Sequence, residues 1–391
     1  MILLDKPFVS DFLKRTISDN AFPVVKTEVT RDLGFSDEPY LMDEACAARQ
    51  ANATKHPLIY TTSENAIGWI AANLAATGLP NKIALFKNKV KFRNLIKPIY
   101  PDFFFKAVVR QDLKTLSITD IPLPFIIKPS VGFFSMGVHR ISAPAQWDAA
   151  LTAIEAEIQS ANALYPVEVL NTASFIIEQC IEGDEFAIDA YFNADGQPVI
   201  LNILQHLFSS DNDVSDRIYV SSKEIIEENL DQFTHFLHAI GKLSGVRNFP
   251  VHVEIRRDPS GTLLPIEINP MRFGGWCTTA DLAAFAYDFN PYTYYFKGRK
   301  PDWTNLLEGK GGKLYSIVVL DNATGIHKNR ITAFDYKRLL AGFEKPLELR
   351  KIDHSVYPVF GFLFAETRKE NFSELERILN SNLKEFITIK T

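Results

Sequence analysis

The sequence is poor in cysteine, has no long apolar run and carries no strong excess of charge of one sign. Its three cysteines, Cys46, Cys180 and Cys277, are too few and too far apart for a disulfide framework or a thiolate metal site. No apolar stretch approaches the roughly 18–20 residues needed to cross a bilayer. The first residues lack the basic region and the small-residue cleavage site of a signal peptide. We therefore expect a cytoplasmic protein without membrane contact.

The charge balance argues against a nucleic-acid-binding protein. Forty-two Lys and Arg residues stand against 47 Asp and Glu residues, which gives a formal net charge of −5. A chain of this kind has no general basic surface for an anionic polymer, although a local basic groove is compatible with it. With 391 residues, of which 46% are hydrophobic, the chain is long enough for two or three globular lobes.

The first 95 residues alternate short apolar runs with helical patterns. Residues 57–62 are typical of a strand, and residues 63–79 have the apolar spacing of a helix with Ser63 as its N-cap. Such β-α alternation predicts a small parallel sheet with flanking helices. The prolines and the polar stretch in residues 96–120 indicate a junction.

The rest of the chain predicts a larger α+β region and a small C-terminal unit. Strands are predicted at residues 124–129, 138–141, 174–181, 185–192, 251–256, 266–269, 314–320 and 359–365. Helices are predicted at residues 144–158 and 222–243 and from about Ser373. These elements divide the chain into an N-terminal β-α domain (1–95), two central lobes (96–180 and 181–300) and an α+β C-terminal unit (301–391).

Two neighbouring strands joined by a tight turn collect polar side chains on a shared face. Alternation places His252, Glu254 and Arg256 on one face of the first strand, and Glu267 and Asn269 on one face of the second. Two carboxylates this close repel each other unless a cation lies between them. Oxygen ligands from Glu and Asn suit Mg²⁺ or Mn²⁺ rather than zinc. A solvent-exposed face in which Arg256 pairs with one glutamate is an equally good interpretation of the spacing.

A single arginine follows the second strand in a glycine-containing loop. Arg272 lies in the segment NPMRFGG, residues 269–275. Its guanidinium can hold a carboxylate or a phosphate in a bidentate contact beside a metal. The alternative is an ordinary arginine in a surface loop.

A lysine at the end of an apolar strand marks a candidate anion site. Lys128 lies in the segment IIKPSVGFFSMGV, residues 126–138. Its ammonium can approach phosphate oxygens, and the glycines and small hydroxyl residues let backbone N–H groups approach the same anion. The segment matches neither the P-loop nor the dinucleotide fingerprint. The alternative is an ordinary β-hairpin with a lysine at the strand end.

A third segment joins an apolar strand to an acidic turn. It reads FIIEQCIEGDEF, residues 175–186. The linker after the strand can offer backbone groups to an adenine edge, and Glu185 can accept hydrogen bonds from ribose hydroxyls. Taken alone, the segment is equally a strand and a turn with acidic residues.

The order of these segments resembles the ATP-grasp superfamily, most closely its carboxylate–amine ligase branch, which includes D-alanine–D-alanine ligase and the L-amino-acid ligases. The matching pieces are IIKPSVGFFSMGV, IIEQCIEGDEFAID, HVEIRR and PIEINPMRFGG, which together span Lys128 to Gly275. The resemblance implies an ATP-grasp fold of mixed α/β and α+β class. It implies an N-terminal pre-ATP-grasp domain, two grasping lobes and the small C-terminal α+β unit.

The resemblance also implies roles for individual residues. The implied nucleotide-binding residues are Lys89, Lys128, Ser135, Glu178, Cys180, Ile181 and Glu185. Lys128 would contact the α- and β-phosphates, and Lys89 is the earlier family lysine, with Lys87 and Lys91 as alternatives. Glu178 and the backbone of residues 179–181 would form the adenine hinge, and Glu185 would hold the ribose.

The metal site and the reacting groups follow from the same resemblance. Glu254, Glu267 and Asn269 would bind Mg²⁺ or Mn²⁺, commonly two ions, and Arg256 and Arg272 would act near the γ-phosphate and the acyl group. His252 is expected beside Glu254. Two features depart from the family pattern. Met271 separates the Asn-Pro pair from its arginine, and bulky Phe133 and Phe134 occupy the phosphate loop, so Ser135 and the backbone are expected to bind the anion.

The implied activity is an ATP-dependent ligation of a carboxylate to an amine through an acylphosphate, with release of ADP and phosphate. The alternatives are a kinase, a ligase that uses a thiol or a carrier protein, and a non-catalytic ATP-binding module. We expect small-molecule partners, with amino acids as candidates, no nucleic acid, no membrane, and a homodimer as one compatible assembly. Segments 131–137 and 207–217 are the predicted lids over the site.

Overall fold

The computed structural model describes residues 1–35, 38–132, 137–161, 171–210 and 215–390. The strands are β1 (Ile2–Leu3), β2 (Val24–Lys26), β3 (Leu41–Asp43), β4 (Tyr60–Thr61), β5 (Phe105–Val109), β6 (Phe125–Val131), β7 (His139–Ile141), β8 (Asn171–Gln179), β9 (Asp184–Phe192), β10 (Pro198–Leu207), β11 (Ile218–Ser221), β12 (Phe249–Arg257), β13 (Leu263–Pro270), β14 (Lys313–Asp321), β15 (Ile331–Phe334), β16 (Lys345–Lys351), β17 (Val359–Arg368) and β18 (Ile387–Ile389). The helices are α1 (Asp11–Asn20), α2 (Glu28–Asp32), α3 (Glu44–Asn52), α4 (Ile67–Asn73), α5 (Leu79–Lys87), α6 (Lys89–Ile96), α7 (Trp147–Ala161), α8 (Lys223–Ser244), α9 (Thr278–Tyr287), α10 (Pro291–Phe296), α11 (Trp303–Leu306), α12 (Tyr336–Leu340) and α13 (Ser373–Leu379).

The N-terminal part is a four-stranded parallel sheet in the order β3-β2-β1-β4. This confirms the predicted small parallel sheet with flanking helices. The predicted helix over residues 63–79 is divided, because the chain leaves helical geometry at Leu74 and turns left-handed at Gly78 before α5 begins. Ser63 is a cap as predicted, and its hydroxyl accepts a hydrogen bond from the N–H of Asn65 at 3.2 Å.

A second sheet contains four antiparallel strands in the order β5-β8-β6-β7 and packs against α7. Strand β5 lies in the stretch that the sequence predicts as a junction, where only Val108 is buried and apolar alternation is weak. Strand β6 continues through Pro129, where the sequence predicts its end. Because β7 pairs only with residues 125–127, β6 is an edge strand at Pro129 and the missing N–H breaks no ladder on that side.

The third sheet is the largest, with eight antiparallel strands in the order β13-β12-β9-β10-β11-β14-β17-β16. Helix α8 packs against β10 and confirms the predicted helix over residues 222–243. The Ser222 hydroxyl accepts from the N–H of Ile225 at 3.2 Å at its start, and Gly245 ends it with a φ of 63°. The sequence did not predict β10, β11 or β16.

The C-terminal strands β14, β16 and β17 belong to this same large sheet, while β15 pairs with β18. Helix α13 confirms the predicted C-terminal helix, and its Leu375 and Ile378 enter a separate apolar core. The predicted boundary at 95/96 falls inside α6, that at 180/181 follows β8, and that at 300/301 lies between α10 and α11. None of the described helices is long and apolar enough to cross a membrane.

The N-terminal sheet docks onto the large sheet through β4. The Tyr295 hydroxyl donates to the carbonyls of Ile59 and Asn248 at 2.7 and 2.9 Å. The N–H of Thr61 donates to the Met271 carbonyl at 2.8 Å. The carboxyl end of β4 therefore lies beside the end of β13, where the predicted metal ligands are found. Ligands of parallel sheets bind at this end of the strands.

Candidate functional site

The hairpin of β12 and β13 brings the two predicted carboxylate ligands face to face. Glu254 and Glu267 are direct partners across the hairpin. The Asn269 side-chain amide donates to Oε1 of Glu254 at 3.3 Å and to Oε1 of Glu267 at 3.1 Å. The predicted turn is present, since Asp258 Oδ1 accepts from the N–H of Thr262 at 2.9 Å. The three predicted metal ligands thus form one cluster.

A β-bulge sets the direction of the second carboxylate. The pairing shifts after Glu254, so that Ile255 lies opposite Pro265 and Ile266 is an extra residue on β13. Bulges bend a strand and redirect its side chains, and they are common next to active sites. Here the bulge immediately precedes Glu267 and keeps that side chain on the same face as Glu254.

The two carboxylates differ in their electrostatic environment. Burial raises the pKa of Glu254 well above its usual value, and the charges of Glu267 and Glu185 raise it further. Burial also opposes the ionisation of Glu267, but the ammonium groups of Lys89, at 3.0 Å, and of Lys87 outweigh it and hold the pKa of Glu267 below its usual range. Glu254 is therefore the carboxylate that most needs a cation.

This donor set fits a magnesium-type ion. Two carboxylates and an amide oxygen are hard oxygen donors of the kind that Mg²⁺ and Mn²⁺ prefer. The NH₂ group of Asn269 faces both carboxylates here, so this amide would have to turn over to offer its oxygen to an ion between them. Among the residues that the structure describes, no group of three or more His, Cys, Asp or Glu side chains is arranged to hold a metal. An ion held by Glu254, Glu267 and Asn269 would need phosphate oxygens or water to complete its coordination.

His252 lies behind the carboxylate pair. Its Nδ1 is 2.8 Å from Asp189 Oδ1, and its Nε2 is 3.9 Å from Glu254 Oε1. The same Asp189 oxygen accepts from the N–H of Gly274 at 2.9 Å. A Cβ at Gly274 would lie 2.2 Å from Thr279 Oγ1, so this close approach requires glycine. Asp189 connects the histidine to the loop after β13.

Lys128 is buried at the centre of β6, with its ammonium 2.5 Å from Glu178 Oε1. Burial lowers the pKa of Lys128, against the opposing effect of Glu178. Of the three candidate lysines near residue 89, Lys89 faces Glu267, whereas Lys87 pairs with Glu64 and lies 3.3 Å from the Gly132 carbonyl. Lys91 is exposed.

The predicted phosphate loop is only partly described. Ser135, with Phe133 and Phe134, lies outside the described residues. The predicted lid segments 131–137 and 207–217 both extend beyond the described part of the chain. The anion-binding role expected for Ser135 stays a prediction.

Glu178 is the acceptor of a buried ion cluster. Its Oε2 accepts from Arg93 Nε at 2.7 Å, while its other oxygen contacts Lys128. Burial opposes ionisation of this carboxyl, but the charges of Arg93 and Lys128 prevail and lower its pKa to about 2. The side chain of Glu178 is thus saturated by two cations.

The backbone after β8 is the predicted adenine hinge. The N–H groups of Gln179 and Cys180 donate to the carbonyls of Phe104 and Pro124 at 3.1 and 3.3 Å. The Ile181 carbonyl accepts from Arg256 Nη1 at 2.5 Å. Within the described residues, the Cys180 carbonyl and the Ile181 N–H have no hydrogen-bond partner. These two groups belong to one trans peptide unit, so the acceptor and the donor point in opposite directions.

Glu185 and Arg256 lie together at the end of the hinge. Arg256 Nε and Nη2 are both 2.9 Å from Glu185 Oε2, and His206 Nδ1 is 3.1 Å from Glu185 Oε1. The second predicted arginine lies elsewhere, since Arg272 Nη2 donates to Glu64 Oε1 at 2.8 Å. The structure therefore does not bring the two predicted catalytic arginines to a common partner.

The additional residue before Arg272 forms a left-handed turn. Met271 is fully buried and has a φ of 69°. Its carbonyl accepts from both the N–H and the hydroxyl of Thr61, at 2.8 and 3.3 Å. The extra residue thus binds the loop after β13 to the carboxyl end of β4, where Glu64 meets Arg272.

Four residues of this region were not predicted from the sequence: Glu64, Arg93, Asp189 and His206. Arg93 follows Lys89 by four positions on α6, so helical spacing could have placed both on one face. The other three carry no local signal, because their partners among the site residues, Glu185, His252 and Arg272, lie more than 20 residues away in the chain.

A surface cavity lies elsewhere, at the other end of the N-terminal sheet. Its volume is about 270 Å³, and its lining includes Met1, Pro23 and Leu58 at the amino ends of β1, β2 and β4. None of the predicted site residues lines it. Because the polar cluster lies at the opposite ends of these strands, we assign the site to the cluster and not to the cavity.

Comparisons with known proteins agree with this arrangement. Residues 121–280 match the family described as ATP-grasp domain, a range that contains every predicted site residue except Lys89. No curated protein sequence matches the chain.

Several solved structures have a similar fold. An L-amino acid ligase from Bacillus licheniformis has a TM-score of 0.68 at 17% identity, over 100% of this chain and 98% of that chain. N5-carboxyaminoimidazole ribonucleotide synthetase from Thermotoga maritima has a TM-score of 0.65 at 14% identity, over 100% and 98%. The biotin carboxylase domain of 2-oxoglutarate carboxylase from Hydrogenobacter thermophilus, solved with MgADP and bicarbonate, has a TM-score of 0.60 at 11% identity, over 100% and 90%. At these identities the likeness shows the fold: the described residues of this chain have the ATP-grasp fold, and residues 121–280 match the ATP-grasp domain.

Proposed function

We propose that the protein is an ATP- and Mg²⁺-dependent ligase that joins a carboxylate to an amine through an acylphosphate and releases ADP and phosphate. One observation carries the proposal: the facing carboxylates Glu254 and Glu267, joined by Asn269, lie beside the buried ammonium of Lys89. Carboxylates that hold a cation, next to a buried ammonium group, are what a magnesium–triphosphate requires.

The nucleotide would occupy the space between the two antiparallel sheets. The peptide between Cys180 and Ile181 would contact the adenine edge through one of its two groups, the carbonyl as acceptor or the N–H as donor, because these groups point in opposite directions. Glu185 would bind the ribose hydroxyls, and Lys128 and Lys89 would bind the phosphates. Each lysine now pairs with a glutamate, so nucleotide binding exchanges a carboxylate partner for a phosphate.

Glu254, Glu267 and Asn269 would hold Mg²⁺, which supplies neutralisation of the phosphate charge. Arg272 is 14% exposed at its side chain and is anchored by Glu64, so its guanidinium can meet a substrate carboxylate at the carboxyl end of β4. This arrangement brings two anions together, since lysines and arginine offset the repulsion between the acid and the triphosphate.

Two transfers follow from this placement. The substrate carboxylate oxygen forms a bond to the γ-phosphorus, and the bond between that phosphorus and the β,γ-bridging oxygen breaks, so ADP leaves. The amine nitrogen then attacks the acyl carbon, phosphate leaves with the electron pair of the broken C–O bond, and the nitrogen gives up one proton to that phosphate. The reactive acyl donor belongs to the substrate, so the protein needs no nucleophilic side chain.

The fold neighbours support a reaction of this class. The Bacillus licheniformis structure is described as an L-amino acid ligase, and the Hydrogenobacter thermophilus structure contains MgADP. On that basis we favour a small acid, with an amino acid as the first candidate, and a second small molecule as the amine.

Nucleotide binding is the first experiment. Thermal unfolding would be measured with a non-hydrolysable ATP analogue, with and without Mg²⁺, for the wild type, Glu267→Gln and the control Glu376→Gln, which changes an exposed carboxylate on α13. A ligand at about 100 times its Kd adds roughly 2.7 kcal/mol to the free energy of unfolding. We expect a Mg²⁺-dependent increase in the wild type and in Glu376→Gln that is lost in Glu267→Gln. No increase in the folded wild type would contradict the nucleotide site.

The reaction class needs a second experiment. Pairs of amino acids and other small acids and amines would be incubated with ATP and Mg²⁺, and ADP and the organic product would be measured together. An amide formed in equal amount to ADP is the expected result. A phosphorylated metabolite would indicate a kinase, and a thioester a different acceptor. Nucleotide binding without turnover on any pair would favour the non-catalytic module.

A further inference from the structure

A buried arginine outside the predicted site connects two strands that carry site residues. Arg93, on α6, is 3% exposed. Its Nε donates to Glu178 on β8 at 2.7 Å, and its Nη1 donates to the Pro265 carbonyl on β13 at 2.6 Å. Its Nη2 is 3.5 Å from the Ile266 carbonyl. One guanidinium therefore contacts both antiparallel sheets, between which the nucleotide is proposed to bind.

The contacts on β13 fall on the β-bulge. Ile266 is the extra residue of the bulge, and Glu267 follows it directly. A bulge leaves local backbone groups without ladder partners. The planar fork of an arginine can satisfy neighbouring carbonyls together, which a lysine ammonium cannot do with the same geometry. Arg93 thereby stabilises the backbone that directs Glu267 towards Glu254.

The contact on β8 balances the charge of Glu178. This carboxylate has two cationic partners, Arg93 and Lys128. When Lys128 binds phosphate oxygens it leaves Glu178, and a buried carboxylate without a counter-ion is strongly destabilising. Arg93 remains in place, because its guanidinium also lies 4.4 Å from the Phe103 ring and is held by the β13 carbonyls.

We propose that Arg93 is a positioning residue that couples nucleotide binding to metal binding. It remains the counter-ion of Glu178 when Lys128 binds the phosphates, and it holds the bulge that directs Glu267 to the metal. The inference deepens the proposed function and rests on it. Arg93 touches neither ligand, so its effect is transmitted through Glu178 on one side and through the backbone of β13 on the other.

Two substitutions separate the two contacts. Arg93→Lys keeps a positive charge beside Glu178 but loses the guanidinium contacts with the Pro265 and Ile266 carbonyls. Arg93→Met removes both the charge and these contacts. Lys97→Met is the matched control, since it removes an exposed positive charge directly after the same helix. The dissociation constant of a non-hydrolysable ATP analogue would be measured by calorimetry with and without Mg²⁺. Thermal unfolding of each variant would establish that it is folded.

The expected pattern is a split between the two variants. Without Mg²⁺, the Kd of Arg93→Lys for the analogue should be within about threefold of the wild-type Kd. The factor by which Mg²⁺ lowers that Kd should be about tenfold smaller in Arg93→Lys than in wild type. Arg93→Met should weaken binding about tenfold or more in both conditions. Lys97→Met should match wild type in both. A purely structural arginine would lower the unfolding temperature of the variants and leave these dissociation constants and their Mg²⁺ dependence unchanged.

The outcomes distinguish this inference from the proposed function. If wild type binds the analogue with Mg²⁺ and the folded Arg93 variants bind it equally well, the coupling role is overturned and the proposed function stands. If Arg93→Lys loses affinity equally with and without Mg²⁺, the connection to the metal strand is overturned. If wild type does not bind the nucleotide, the proposed function and this inference fail together.

Discussion

Arg272 reaches from the loop after β13 to Glu64 at the carboxyl end of β4, with Nη2 2.8 Å from Oε1. Glu64 is buried and also binds the ammonium of Lys87. One carboxylate that follows β4 thus holds two cations, Lys87 and Arg272. In the proposed function, this contact would set where a substrate acid meets the phosphates, so residues that follow the N-terminal sheet would take part in the site.

This relationship predicts a catalytic defect in Arg272→Met. Losing a guanidinium that stabilises transferring charge is expected to lower kcat/KM by about 10²–10³-fold, because developing charge in a water-poor site is sensitive to each donor. The nucleotide Kd should change by less than about threefold, since Glu254, Glu267 and the lysines remain. Steady-state kinetics and calorimetry check the two values. Arg15→Met, at an exposed arginine on α1, is the control. A loss of nucleotide affinity as large as the loss of kcat/KM would contradict the assigned role.

Lys128→Met tests the phosphate contact. Removing this ammonium is expected to weaken binding of an ATP analogue by about tenfold or more, since charge-assisted hydrogen bonds to phosphate are among the stronger polar contacts. The matched control is Lys106→Met, which removes an exposed lysine from β5 in the same sheet. Equal affinities for the two variants would show that Lys128 serves only to neutralise Glu178.

Glu178→Gln tests how the ion cluster of Glu178, Arg93 and Lys128 changes the stability of the protein with pH. The pKa of Glu178 is lowered from 4.5 to about 2 in the folded protein. The unfolded chain therefore takes up its proton first as the pH falls, so stability from this group is present above about pH 4.5 and is lost between about pH 4.5 and 2. The contribution is on the order of 3 kcal/mol at neutral pH. The free energy of unfolding, measured with urea at several pH values, should fall across this range more steeply for wild type than for Glu178→Gln. If the free energies of unfolding of the two proteins depended on pH in the same way, the contribution assigned to Glu178 would be ruled out.

Met271 tests the docking of the loop after β13 onto β4. Its side chain is fully buried, so Met271→Ala is expected to lower the free energy of unfolding by about 2–5 kcal/mol. Met271→Leu keeps the volume and should cost less than about 1.5 kcal/mol. Urea unfolding gives both values. If the alanine and leucine variants proved equally stable, the left-handed turn and not the side chain would carry the contact.

Local patterns were sufficient for the elements whose periodicity is long and undisturbed. Helix α8 has an apolar face over 22 residues and a serine cap, and the structure has it within one residue of the predicted bounds. The β12–β13 hairpin has strict alternation around a strong turn, and this alone placed Glu254, Glu267 and Asn269 together. In both cases the groups that specify the structure lie close in the chain, so the sequence contains the whole signal.

Strands with weak or ambiguous patterns could not be predicted from the sequence, because their pairing partners in the assembled sheets define them. Strand β5 has little apolar alternation and is selected by its pairing with β8, while β10 and β11 are defined by their neighbours in the large sheet. The local sequence predicts that β6 ends at Pro129, because proline has no N–H for strand pairing. It is tolerated because the neighbouring strand has already ended, and no local pattern reports that.

The sequence predicted which types of residue form the site. It did not predict which of these residues form ion pairs with each other. The sequence showed that acidic, amide and basic groups gather on the β12–β13 hairpin and at Lys128, because short-range geometry places them there. Only the tertiary structure decided that Glu178 lies between Arg93 and Lys128, that Arg256 pairs with Glu185, and that Glu64 receives Arg272. These contacts join residues 50 to more than 200 positions apart. Charge pairing over such separations depends on how the three sheets pack, since a buried charge takes whichever counter-ion the packing brings within reach.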